Sequence, residues 1–285
     1  MAVLQKTTDV KRLALIANDL RADIIKMLVE AGSGHSAGPM GLADIFACLY
    51  FSVLNHDPQD TAWDGRDRFI LSPGHCAPVR YAAMAHAGFF PREELKTLRK
   101  LGSRLQGHVD RAWLPGLENT NASLGQGVGV AAGMALAAKK AGKPHTVFVC
   151  VSDGECDEGS TWEAAMFASH YALDNLIAFV DRNDIQICGS TCDVMNLEPF
   201  VDKWRSFGWN VLIADGHNIP EILKAFDWAK ANRGSRQPSV IIFETIPGKG
   251  VSFMQGTAAW HGKPPNKEEA EDALAELAGA RCELV

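Results

Sequence analysis

The chain has 285 residues, 47% of them hydrophobic and 22% charged, with a formal net charge of -6. That balance provides a substantial core for one large domain over residues 1–285, and the acidic sum, with no long Lys/Arg cluster, excludes a nucleic-acid surface. No apolar run is long enough to span a bilayer, and the opening MAVLQKTTDVKRLAL has no secretory hydrophobic core, so a cytoplasmic location is expected. Seven cysteines, with Cys188 and Cys192 the nearest pair and no C-x-x-C, fit reduced thiols better than disulfides or a zinc site.

In chain order, residues 8–31 place Leu13, Ile16, Leu20, Ile24, Met27 and Leu28 on a helical stripe that Gly32 can end. This is a scaffold helix. Next, AGSGHSAGPMGLADI bends around His35 between glycines, and the apolar run 40–46 after Pro39 opens another helix. Residues 126–140, QGVGVAAGMALAAKK, form a helix of small residues, in which Gly129, Gly133 and Ala137 at four-residue spacing predict close packing on a sheet. Its start favours an anion, which is a reason for it to face a ligand.

Residues 147–189 read as strand, acidic Gly turn, helix and strand. Ser160 and Glu163 fit a capping box at the start of that helix. In a right-handed parallel crossover both strand ends lie on one edge of the sheet, where open α/β proteins bind phosphorylated ligands. Asp153 offers a carboxylate there, Asn183 an amide oxygen and Ile185 a backbone carbonyl. Such an all-oxygen set suits Mg²⁺ or Ca²⁺, with phosphate oxygens and water completing the shell. Gly154 lets backbone approach the anion closely. Taken singly, an Asp-Gly pair is more often an ordinary turn; the Asp-Arg-Asn ending the next strand shifts the balance.

Runs 209–214 and 239–245 are strand-like, with a helix between them starting near Asn218 and Pro220. The Gly/Pro-rich loop 247–265 carries His261, and an acidic, Ala/Leu-rich helix fills about 266–285. The fold class expected is α/β, a parallel sheet with helices on both faces. Four histidines stand beside glycine: His35, His75, His108 and His261. A lone loop histidine is usually only solvated. Four in Gly-bounded turns, with no zinc-type spacing, suit proton transfer and hydrogen bonding to a sugar.

The Asp-Gly turn followed thirty residues later by Asn183 resembles the thiamine-diphosphate signature, with Ser152 where that family usually has Gly. GSGHSAGPMGLADI, RDRFILSPGHCAP, GSRLQGHVD, SLGQGVGVAAGMA, the SDG to DRN unit and WHGKPP stand in the order found in transketolases and span nearly the whole chain. The resemblance implies a thiamine-diphosphate-binding fold and a two-carbon ketol transfer between sugar phosphates. His35 and His261 would then line the reacting carbons, His75 would lie by the diphosphate with His261, and His108 would contact substrate hydroxyls. By the same resemblance Gly154 meets the diphosphate, Gly125 and Leu124 with Ile187 flank the cofactor, and Glu158 lies at a subunit contact. HSAGP and NASLGQG depart from the family's usual loops.

Transketolases are a little over twice this length, and their second, pyrimidine-binding domain supplies the glutamate that activates the cofactor. The resemblance therefore covers only the diphosphate-binding part. A C-terminal partner subunit is expected, with two chains of each type. Rival readings are a 2-oxo-acid dehydrogenase α chain, a deoxyxylulose-phosphate synthase, a Rossmann dehydrogenase and a non-catalytic dimerisation module. Against the Rossmann reading, no G-x-G-x-x-G follows a first strand with an acidic residue at the right distance.

Overall fold

Side-chain alternation along five short strands decides the architecture. In the computed structural model, which describes residues 6–285, these are β1 (Arg68–Leu71), β2 (Val147–Ser152) and β3 (Leu176–Arg182), then, after a separate hairpin of β4 (Ile185–Gln186) and β5 (Gly189–Ser190), β6 (Asn210–Asp215) and β7 (Ser239–Glu244). The first five residues, where the no-leader reading and the domain expectation begin, lie outside the described residues. The main sheet is parallel throughout, in the order β1-β2-β3-β7-β6.

Phe148 and Cys150 of β2 join Phe179 and Phe243 in one buried cluster, while Val147, Val149 and Val151 join Val180 and Ile242 in another. A period of two sends neighbours to opposite faces, and both faces are covered. The first face receives α1 (Val10–Ala31), α2 (Ala37–Gly41), α3 (Ala43–Cys48) and α4 (Ala77–His86). The second receives α5 (Gln126–Lys140) and α6 (Gly159–His170), and, past the short α7 (Thr191–Val194), α8 (Phe200–Ser206). Finally α9 (Ile219–Ala231) and α10 (Lys267–Leu284) return to the first face. Phe148, Phe179, Phe226 and Phe243 are all 0% exposed. Each such burial stabilises by roughly 1.5–3 kcal/mol.

Helix ends follow local chemistry. The Asp9 side chain caps α1 and Gly32, at φ 63°, ends it; Asn218 caps α9; Asn266 and Glu269 form a capping box on α10. Three sequence expectations need correction. Ser160 does not cap α6, which starts at Gly159 after Glu158; its hydroxyl donates instead to the Gly125 carbonyl at 3.1 Å. The 40–46 helix begins earlier, at Ala37, and is split at Leu42 into α2 and α3. On α5, Gly129, Gly133 and Ala137 face outward, and Val128, Ala131, Ala132, Ala135 and Ala138 pack on the sheet. Small residues occupy both sides of that helix, so their spacing alone does not choose a face.

Candidate active site

All strands of the parallel sheet end on one edge, and the functional side chains emerge there. Ser152 closes β2 directly before Asp153, and Arg182 closes β3 directly before Asn183. Parallel pairing of Ser152 with Asp181 puts the two turns side by side. The Asp184 N–H donates to Asp153 Oδ2 at 2.7 Å, and the Gly154 N–H to Oδ1 at 2.7 Å. Asn183 uses its amide N–H on Asp181 Oδ2 at 2.9 Å, and its Oδ1 accepts from the Ile185 N–H at 3.0 Å.

These turns form one side of a cavity of about 490 Å³. Asp153, Gly154, Glu158, Asn183, Ile185 and Ile187 line it, and so do His35, His75, His108, Leu124 and His261. Of the residues singled out in the sequence only Gly125 stands back from the wall. It is buried at φ 80°, where a Cβ would come 2.6 Å from Glu158 Cβ, so a side chain is excluded on both counts.

Three imidazoles meet in this cavity. Ring centroids lie 5.1 Å apart for His35 and His75, 5.6 Å for His35 and His261, and 5.2 Å for His75 and His261. Ser36 holds the two loops together, its hydroxyl lying 3.0 Å from the Trp260 carbonyl and 2.8 Å from that of Lys263. Burial, then the charge of its neighbours, moves His75 down to about 3 and His35 down to about 4; burial also lowers His108 and His261. All four are neutral at pH 7, each offering one donor and one acceptor.

His75 carries a stability consequence. Its folded-state pKa lies below the unfolded value of 6.5, so its contribution is present above pH 6.5 and is lost as pH falls toward about 3. Between pH 7 and pH 5 the loss is about 2 kcal/mol. Urea denaturation of wild type and His75→Asn at both pH values measures it: the variant is expected to have the flatter pH dependence, and identical slopes would contradict the burial argument.

Asp153 behaves oppositely. Burial and the neighbouring Asp181 carboxylate push it up to about 7, with two backbone N–H bonds opposing. A divalent cation would offset that repulsion. Among the described residues no group of three or more His, Cys, Asp or Glu is placed to hold a metal; a cation at this place would have one carboxylate, one amide oxygen and one carbonyl as its protein donors. That is a hard-cation set which leaves shell positions to diphosphate oxygens and water. Two buried polar atoms of the lining, His35 Nδ1 and Gln186 Oε1, have no partner. A polar ligand would satisfy them. The residues fit a magnesium or calcium diphosphate.

The family model for the transketolase thiamine-diphosphate-binding domain matches residues 13–280. The chain belongs to the transketolase family. It is 44% identical over 261 residues to a 6-deoxy-6-sulfo-D-fructose transketolase subunit of Clostridium sp. strain MSTE9, covering 92% of this chain and 94% of that protein. One of the apulose-4-phosphate transketolase subunits, from Phocaeicola vulgatus, is 38% identical over 268 residues, with 94% of both covered. Human transketolase is 40% identical over 265 residues, but the match covers 92% of this chain and only 41% of that protein. The solved transketolase of Leishmania mexicana superposes with a TM-score of 0.86 at 34% identity, covering 96% of this chain and 42% of that one. The chain thus spans less than half of single-chain transketolases and nearly all of these subunits. Its α/β sheet is the transketolase thiamine-diphosphate-binding fold, and no described helix is long and apolar enough to cross a membrane.

Sequence reasoning misses several residues that build this transketolase site. Asp181 orients the Asn183 amide, Ser36 ties the histidine loops, and Asn121 donates to the Leu71 and Ser72 carbonyls at 3.1 and 2.6 Å. Glu155 accepts from three elements at once. It also changes the reading of α5, because the Gly125 and Gly127 N–H groups at the helix start donate to Glu155 and Ser72. Those donors are already used within the chain.

Proposed function

We propose that this chain is the diphosphate- and cation-binding subunit of a two-chain transketolase that moves a two-carbon ketol unit from a ketose phosphate to an aldose phosphate. The observation that carries the reading is the convergence of Asp153, Asn183 and Ile185 with His35, His75 and His261 in one cavity. Asp153, Asn183 and the Ile185 carbonyl hold Mg²⁺ or Ca²⁺, and Gly154 meets the diphosphate. Thiamine diphosphate, when bound, supplies the carbanion nucleophile and the electron sink for carbon–carbon cleavage. Leu124 and Ile187 flank its rings. A C-terminal, pyrimidine-binding partner subunit supplies the activating glutamate and the arginines for the sugar phosphate. Glu158 lies where copies meet in an assembly of two chains of each type, and the enzyme works in the cytoplasm. Relatives that act on a sulfo sugar and on apulose phosphate support a ketose with an anionic end.

The histidines then divide the work. Neutral His35 and His261 donate hydrogen bonds to the oxygen of the substrate carbonyl as charge develops on it, and pass protons during bond cleavage and formation. His108 orients substrate hydroxyls. Because these imidazoles are neutral at rest, they donate without placing a standing positive charge beside the cation. His261→Ala is expected to lower kcat by about a hundredfold or more and to lower cofactor affinity by a clearly smaller factor. Steady-state kinetics against ketose phosphate, with calorimetry for the cofactor, separate the two; an unchanged kcat would remove His261 from the reaction. The reading as a whole is tested by titrating thiamine diphosphate into the equimolar mixture of this chain and its C-terminal partner subunit, with and without Mg²⁺. Binding that needs the cation is expected, and no binding under either condition would reject it.

A further inference from the structure

We infer that Glu155 is a positioning residue whose carboxylate fixes the turn carrying Leu124 and Gly125 against the turn carrying Asp153 and Gly154, setting the width of the cofactor cavity. The inference rests on the cofactor reading given above. Glu155 is 1% exposed, and three elements converge on it. Its Oε1 accepts from the Gly125 N–H at 2.7 Å and from the Ser72 hydroxyl, and its Oε2 accepts from the Ser152 N–H at 3.2 Å. Ser72 in turn accepts the Gly127 N–H at 3.0 Å, and Asn121 binds the carbonyls of Leu71 and Ser72. The ends of β1 and β2 and the start of α5 are therefore joined through one ionisable side chain.

An anion at that place is favoured by the N-terminal end of α5. Because Glu155 fills it, the diphosphate is left to the Asp153 and Gly154 side, while Leu124 stands on the other wall. β1–β2 pairing and the packing of α5 on the sheet bring the two turns near each other, but among the described residues no backbone–backbone hydrogen bond joins them directly. What joins them directly is the Glu155 carboxyl group, which accepts from the Gly125 and Ser152 N–H groups and the Ser72 hydroxyl in fixed directions, with the Ser160 hydroxyl on the Gly125 carbonyl beside it. Gly125 adds one constraint: with no room for a Cβ, this turn closes on Ser160 and Glu158 in a single way, and its N–H points to Glu155.

Such a strut has a signature that a general loss of folding lacks. Magnesium pyrophosphate needs the Asp153 turn and the histidines beside it but makes no demand on Leu124, whereas thiamine diphosphate must also reach the Leu124 wall. Glu155→Ala is therefore expected to weaken thiamine diphosphate binding about 10–100-fold, with magnesium pyrophosphate affinity within threefold of wild type. Glu155→Gln keeps the shape and an acceptor for Gly125 but turns an N–H toward Ser152, and about a three- to tenfold loss is expected for the full cofactor. Calorimetric titration of both probes into the complex with the C-terminal partner subunit, with thermal melting of each variant, reads this out. Thiamine diphosphate affinity unchanged in both variants overturns the inference. So does an equal loss for both probes in Glu155→Gln accompanied by a lower melting temperature. A wild-type complex that binds neither probe overturns the cofactor reading and this inference with it, whereas wild-type binding with unaffected variants overturns this inference alone.

Discussion

Purified alone, the chain is expected to show less than about a thousandth of the ketol-transfer rate it shows when mixed with a C-terminal partner subunit. In the proposed reading this site holds and orients; the titratable side chains lining it are imidazoles, carboxyls and the Cys188 thiol. Activating the cofactor needs a carboxyl group on its aminopyrimidine, and the transketolase resemblance puts that glutamate in the domain following this one. Loss of one general acid or base costs about 10²–10⁴ in rate, and an absent wall of the site removes substrate positioning as well. The lengths agree with this division, since the match covers 94% of the sulfofructose transketolase subunit but 41% of human transketolase. A coupled assay of ketose phosphate and aldose phosphate, run on each chain and on the equimolar mixture, measures it. Full activity from this chain alone would reject the two-chain reading, and pyruvate decarboxylation in place of ketol transfer would point to the oxo-acid dehydrogenase rival.

How much of this is legible in the sequence depends on distance along the chain. The β2, α6 and β3 unit can be read directly because residues 147–152 and 176–182 are nearly unbroken apolar runs flanking a helical spacing, and both end in polar residues. From that unit alone Asp153 and Asn183 fall on one edge, as they do in the structure. β1 is not legible as a strand: four residues beginning with an arginine carry no clear period, and pairing with β2 makes them one. Links between distant segments leave no local trace. The Ser36 contact with Trp260 and Lys263 spans more than two hundred residues, and Glu155 reaches back thirty residues to Gly125. A usable signal does exist for Glu155, a carboxylate two residues beyond Asp153 and directly before the apolar Cys156. Desolvating a charge there requires several donors, and the nearby segment rich in free backbone N–H groups is the Gly-rich start of α5. The outward Gly129, Gly133 and Ala137 of α5 show the opposite error, where a regular spacing is assigned to the wrong face.

Replacing Asp153 by alanine is expected to weaken Mg²⁺-dependent thiamine diphosphate binding by at least about a hundredfold, near 3 kcal/mol. Asp153 is 2% exposed, and burial with the Asp181 charge opposes its ionisation, so the folded chain holds this carboxyl at about 7 against an ordinary value of 3.8. The sign of the stability effect follows. A carboxyl whose pKa is raised by folding stabilises the fold fully below its unfolded value, and that contribution is lost as pH rises through 3.8 toward about 7. At pH 8 the cation-free protein therefore gains little from the Asp153 charge, and removing it relieves repulsion with Asp181. Against that gain, alanine leaves the Gly154 and Asp184 N–H groups without an acceptor, so Asp153→Asn, which keeps an acceptor oxygen, is the better probe of the charge. Asp153→Asn is expected to melt within a few degrees of cation-free wild type at pH 8 while losing the stabilisation that Mg²⁺ with thiamine diphosphate gives the wild type. Differential scanning fluorimetry across Mg²⁺ and cofactor concentrations separates the two effects, because ligand stabilisation grows with free ligand and an intrinsic change does not. If Asp153→Asn retains the full ligand-induced shift, the cation is held elsewhere, and the role given to Asn183 and Ile185 fails with it.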